Sequence, residues 1–134
     1  NEFEILSYCL MTNHIHLQIE TKSVHIKKLM CRINTFYAKY FNNKYDYHGH
    51  LFQGRYGSQI IDSDSYILEA SRYISLNPVR ANIVKKPEDY EWSSYSMLIG
   101  KKKEKLIKSD RILSYFIQSR KRELYRMYVE SAIR

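Results

Sequence analysis

His14 and His16 stand one residue apart in CLMTNHIHLQIE. In an extended strand, residues i and i+2 share a face about 6.5 Å apart. Two imidazoles at that separation can each give a nitrogen to one metal ion. The same spacing also arises when two polar side chains line the wet face of a strand, and the flanking residues allow that reading as well. Ile15, Leu17 and Ile19 alternate with His14, His16, Gln18 and Glu20. A second pair with this spacing, His48 and His50, lies in a loop rich in Tyr and Gly and reads as a polar turn.

SRYISLNPVRANIV holds a second constellation. Tyr73 and Asn77 are four apart, hence on one face of a helix. A phenol is a poor nucleophile at its ordinary pKa of about 10, so it needs a lowered pKa or a metal-polarised target. The Asn77 amide oxygen, one turn on, can supply a third ligand. Against this stands a packing role: one of 13 tyrosines in a core, with Asn77 closing a helix end. Tyr66 is a rival nucleophile two turns earlier, but Ala70 occupies the place of its partner amide. Arg55, Arg72 and Arg80 are candidate phosphate contacts, since a guanidinium fork matches phosphate oxygens.

These residues need elements to hold them. Phe3 to Met11 is a nearly continuous apolar run, suited to a strand covered on both faces. Thr12-Asn13 supplies a turn, and His14 to Glu20 completes a hairpin. Ser23 caps a helix predicted to run to about Phe41, residues 42–49 form a loop, and Leu51 to Ile61 is extended. A second helix starts near Asp62-Ser63-Asp64 and is expected to end near Asn77, because Pro78 disfavours the helical region for the residue before it. Trp92, Tyr95, Met97 and Leu98 form a last apolar patch, with Trp92 expected to pack. Arg111 to Ile133 reads as a basic helical tail.

The chain has 134 residues, 44% of them hydrophobic, enough for the core of one domain. No run approaches the roughly 18–20 apolar residues of a membrane span. Cys9 and Cys31 lack CxxC spacing and read as buried reduced thiols of an intracellular protein. Of the net charge of +8, most falls at the end: residues 101–134 carry eleven Lys and Arg against four Asp and Glu. Lys101, Lys102 and Lys103 dominate there, with Lys27 and Lys28 in a smaller cluster. Basic surface favours phosphate-rich partners by counterion release, although a solvated helix face has the same composition. Tyrosines interleaved with that charge suit single-stranded nucleic acid.

The order FEILSYCLMTNHIHLQIE, a helix, GHLFQGRY, then YILEASRYISLNPVRANIVKKPEDYEWSSYSMLIG resembles the REP-associated tyrosine transposases, members of the single-tyrosine HUH (His-hydrophobic-His) endonuclease superfamily. The resemblance spans roughly residues 3–100. It implies an α+β fold, an antiparallel sheet with helices packed on it in a ferredoxin-like or RRM-like arrangement. Residues 1–100 would form the catalytic domain and 101–134 a basic helical tail. An N-terminal strand and helix found in such proteins would be missing from this chain. By position, His14, His16 and Asn77 correspond to the ligands of Mg²⁺ or Mn²⁺, and Tyr73 to the nucleophile. The implied activity is nicking of single-stranded DNA beside a hairpin, through a 5′-phosphotyrosine link, followed by strand joining. An inactive or domesticated hairpin-binding protein is the alternative, and a metal-dependent hydrolase that uses water a third. A homodimer is left open, no membrane partner is implied, and the expected location is the bacterial cytoplasm at the nucleoid.

Overall fold

The computed structural model describes residues 3–22, 26–32, 34–35 and 60–133. The chain divides into two compact units, one of Glu4–Glu20 with Ile61–Arg134 and one of Asn1–Phe3 with Thr21–Ile60. In the latter, residues 26–32 and 34–35 are helical (α1), with Leu29 buried and Lys27 and Lys28 exposed. Cys31 lies about 200° round the helix from Leu29 and is exposed, so of the two cysteines only Cys9 is the core thiol expected. Ser23, the end of the predicted first helix, the His48–His50 pair, Arg55 and residues 51–59 of the extended stretch lie outside the described residues.

The larger unit has the α+β composition expected. Strands β1 (Phe3–Leu10) and β2 (Ile15–Thr21) form an antiparallel hairpin. The Met11 N–H donates to the His14 carbonyl at 2.9 Å, so Thr12 and Asn13 alone make the turn and His14 immediately precedes β2. Leu6 and Ser7, on opposite faces of β1, are both buried, as a continuous apolar run requires. The other edge of β1 takes single pairings, parallel from Ile5 to Ile107 and antiparallel from Cys9 to Ser93. Burial pushes the Cys9 thiol up to about 11, against a lowering hydrogen bond from Ser93.

Helix α2 (Asp64–Arg80) begins where Ser63 Oγ accepts from the Tyr66 N–H at 3.3 Å, with Asp64 in its first turn. It does not stop at Asn77. Pro78 lies inside it, in the last turn, where its fixed φ suits a helix. The lost N–H bond and the crowding of the Ile74 carbonyl are local costs set against the full burial of its ring. The exit is a Schellman turn. Asn82 takes the left-handed φ of 60°, its N–H reaches the Val79 carbonyl and the Ile83 N–H reaches the Pro78 carbonyl, each at 3.0 Å.

Residues 101–133, read from sequence as a basic tail, belong to the core. Helices α3 (Tyr95–Leu98), α4 (Asp110–Leu113) and α5 (Lys121–Glu130) follow. Ile107, Ile112, Leu113, Tyr125 and Val129 cluster with Leu6, Ile67, Leu76, Tyr95 and Leu98. The charge that suggests a tail sits on the outward positions, while apolar residues recur at helical spacing between them, as at Tyr125 and Val129. Tyr125 shares a 2.5 Å hydrogen bond with Ser71 of α2. The Arg122 guanidinium donates to the Met97 and Leu98 carbonyls at 2.8 and 3.0 Å, closing α3. Gly100 beside it has φ of +84°, and a β-carbon there would stand 3.0 Å from Arg122 Cδ. Trp92 is not a core residue as expected: it is 58% exposed, and its backbone carbonyl accepts from the Leu10 N–H at 2.8 Å.

Glu88 joins this C-terminal region to the loop after α2, through ion pairs with Lys101 and with Arg126, the latter at 2.8 Å. Chiefly the Lys101 hydrogen bond holds the Glu88 carboxyl below the usual carboxylate range, with Arg126 adding to it. A depressed carboxyl contributes stability above the unfolded pKa of about 4.3 and loses it as pH falls through the folded value. Glu88→Gln is therefore expected to cost about 1 kcal/mol at neutral pH. The gap from wild type should narrow in unfolding curves as pH falls below about 4.3 and through the lower folded-state value, and a gap of constant size would exclude the ion pairs as its cause.

Candidate active site

The polar face of β2 is covered at its centre, with His14 left exposed at one end. Gln18 is 3% exposed. It accepts from Ser7 Oγ at 2.7 Å and donates from Nε2 to the Ile67 carbonyl of α2 at 3.0 Å. Period-two alternation says which side chains share a face, not which face the next helix covers. Here α2 lies on the polar one, because Gln18 is hydrogen-bonded on both sides and its burial leaves no polar atom stranded. Gln18→Leu would orphan the buried Ser7 hydroxyl and remove a donor from Ile67. It is expected to lower stability by about 1–3 kcal/mol in denaturant unfolding, and wild-type stability would refute the clamp.

With α2 seated this way, His16 meets Tyr73. Their ring centres are 5.7 Å apart with the planes at 90°, and the His14 ring lies 4.8 Å from that of His16 at 87°. The His16 Nε2 is buried and has no hydrogen-bond partner. Burial, and then the neighbouring His14, hold the His16 pKa below its ordinary value, which favours the neutral ring with a free lone pair. His14 is oriented by its neighbour, its Nδ1 lying 2.6 Å from Asn13 Oδ1. An amide oxygen only accepts, so Nδ1 carries a hydrogen and Nε2 is the nitrogen that faces away from this contact.

The two imidazoles fit a divalent cation. Metal–nitrogen bonds of about 2.1 Å put the centres of two rings sharing one ion roughly 4.5–5.5 Å apart, and the observed 4.8 Å lies within that range. A buried ring nitrogen without a partner is a costly feature that a ligand role explains. Among the described residues no three His, Cys, Asp or Glu side chains gather as a metal cage. Among the described residues, further ligands of such an ion would be neutral oxygens such as the Asn77 amide, water or a bound phosphate. Asn77 sits half-buried one turn beyond Tyr73, its backbone carbonyl bonded to the Ala81 N–H.

Tyr73 is 50% exposed, so substrate can reach it. Tyr66 lies two turns away at the start of α2. Of the arginines, Arg80 comes to the site: its guanidinium carbon stands 4.7 Å from the centre of the Tyr73 ring, and its Nη1 donates to the Tyr73 carbonyl at 3.0 Å. Arg72 does not. About 100° round the helix from Tyr73, it stacks on Tyr128 of α5 at 4.4 Å, a packing contact. Lys101 is likewise engaged with Glu88, while Lys102 and Lys103 are exposed. Sequence reasoning missed Gln18 and Asn13. The one signal was position: each is polar and lies within two residues of a histidine.

No curated protein and no solved structure matches the chain. Among the described residues no helix is long and apolar enough to cross a membrane. A family model described as "Transposase IS200 like" matches residues 1–77, more than half of the sequence. The match takes in the histidine strand and closes on Asn77, so it covers the whole constellation in which His16 and Tyr73 meet. On that match the chain belongs to the IS200-like transposases, a family of DNA-processing proteins.

Proposed function

We propose that this transposase nicks and rejoins single-stranded DNA, with Tyr73 as nucleophile and His14, His16 and Asn77 holding Mg²⁺ or Mn²⁺. The observation that carries this reading is the 5.7 Å approach of the half-exposed Tyr73 ring to the His16 ring, whose Nε2 lacks a partner. A bound divalent cation would supply Lewis-acid polarisation of the scissile phosphate. The chain's own residues do the rest. Asn13 orients the His14 ring, burial favours the neutral form of His16, and α2 aims the phenol at the phosphate they mark. Tyr73 Oη bonds to phosphorus as the P–O3′ bond breaks. The proton lost by the phenol is balanced by one gained on the departing 3′-oxygen. The phosphodiester bond is exchanged rather than hydrolysed, so the 3′-hydroxyl can reverse the step on another end without a nucleotide cofactor. Phenol and imidazoles come from one chain, which supports a site built in cis, whether or not two copies pair.

A hairpin-bearing, end-labelled oligonucleotide incubated with the protein and Mn²⁺ is expected to give a covalent adduct on a denaturing gel. Binding without an adduct would point instead to a hairpin-binding protein that does not cut. Release of a nicked product without an adduct would point to a water-using hydrolase. For the basic surface, Lys102→Ala with Lys103→Ala should weaken binding and reduce the salt slope of log Kd by about 1.5 units. An unchanged slope would remove these lysines from the interface.

A further inference from the structure

We infer that Arg80 is a positioning residue for the Tyr73 nucleophile, holding the phenol ring against His16 before DNA arrives. The inference rests on the nucleophile role just proposed, and the contact that carries it is independent of that role. A tyrosine half exposed on a helix surface has little packing to select one rotamer. Tyr73 is restrained from two directions: the His16 ring meets it at 90°, and the Arg80 guanidinium lies over it. Arg80 is seven residues later, about 10.5 Å along the axis. Helix side chains lean toward the N-terminus, which lets a long one cover that distance. Its grip is fixed at a second point, since Nη1 donates to the Tyr73 carbonyl at 3.0 Å. That carbonyl has a second lone pair to offer beyond any helix bond. Backbone and ring of the same residue are thus held by one planar group. Arg80 is the last residue of α2, and the Schellman turn at Asn82 fixes the end of the helix on which it sits. Lysine can supply the charge but neither the planar stack nor the fork.

The test uses the full chain and three variants, Arg80→Lys, Arg80→Gln and Arg80→Ala. First, ¹³C-ring-labelled tyrosine spectra of the DNA-free protein, with Tyr73→Phe for assignment, report the Tyr73 ring directly. All three variants should move or broaden the Tyr73 signal while the Tyr125 signal stays in place. An unmoved Tyr73 signal in Arg80→Ala overturns the inference, whatever the protein does to DNA. Second, single-turnover adduct formation with saturating hairpin oligonucleotide and Mn²⁺ should slow by about ten- to a hundredfold in all three, while Kd for the oligonucleotide rises less than about threefold. Rescue to the wild-type rate by Arg80→Lys would show a simple phosphate contact and overturn positioning. So would a large rise in Kd with an unchanged saturated rate. If the wild type itself forms no adduct, the nucleophile role fails while the ring spectra still decide the Arg80 contact.

Discussion

Tyr73→Phe is expected to abolish the covalent protein–DNA adduct, a loss of about a thousandfold or more in the rate of its formation. Folding and affinity should be almost untouched. The substitution removes one oxygen from a residue that is 50% exposed and whose recorded contacts are through its ring and backbone carbonyl. The ring that His16 and Arg80 touch remains. Exposed single-atom changes of this kind shift stability by about 0.5 kcal/mol or less. The contrast between a near-total loss of adduct and an unchanged melting curve is the diagnostic. It is read by gel and by calorimetry on the same preparations. Adduct formation persisting in Tyr73→Phe would assign the nucleophile elsewhere, with Tyr66 the first residue to examine, and would remove the mechanism proposed here.

The second large effect has opposite signs for activity and stability. His16→Leu deletes a buried ring nitrogen that has no hydrogen-bond partner. Replacing an unsatisfied buried polar group with an apolar one of similar size is neutral to stabilising, by up to about 1–2 kcal/mol. The variant should therefore melt at or above the wild-type temperature when no divalent ion is added. Adduct formation should fall about a hundredfold or more, because half of the imidazole pair is gone. Added Mn²⁺ should raise the melting temperature of the wild type and not that of the variant, since ligand binding to the folded state is what supplies the increment. A clear destabilisation in metal-free buffer would mean that His16 is a packing residue with a partner. An equal Mn²⁺ shift in both proteins would mean that the ion binds elsewhere.

Local chemistry was legible in the residues themselves. Spacing of two put the imidazoles on one strand face, and spacing of four put Tyr73 and Asn77 on one helix face, because those periods belong to the backbone and hold in any fold. The start of α2 near Asp62-Ser63-Asp64 and the two-residue turn at Thr12-Asn13 follow from equally local effects. Local rules failed where several outcomes were compatible with the same pattern. Pro78 was expected to end α2 near Asn77, yet the helix carries the proline and runs three residues further, to Arg80. That extension is what gives the site its arginine.

Which surfaces meet was decided by the tertiary structure alone. Alternation along β2 left its polar face looking solvent-exposed, while the folded unit lays α2 on it and buries Gln18 between Ser7 and Ile67. Arg72 and Arg80 were both candidate phosphate contacts, Arg80 the better placed because it follows Asn77-Pro78. Rotation about one helix sends the first to Tyr128 and the second to Tyr73. The run after Gly100 looked like a basic tail because charge dominates composition, whereas burial depends on the few apolar positions between the charges. The approach of Tyr73 to His16 joins residues 57 apart in the chain. Periodicity can orient each within its own element, but only the packing of one element on another sets the distance between them.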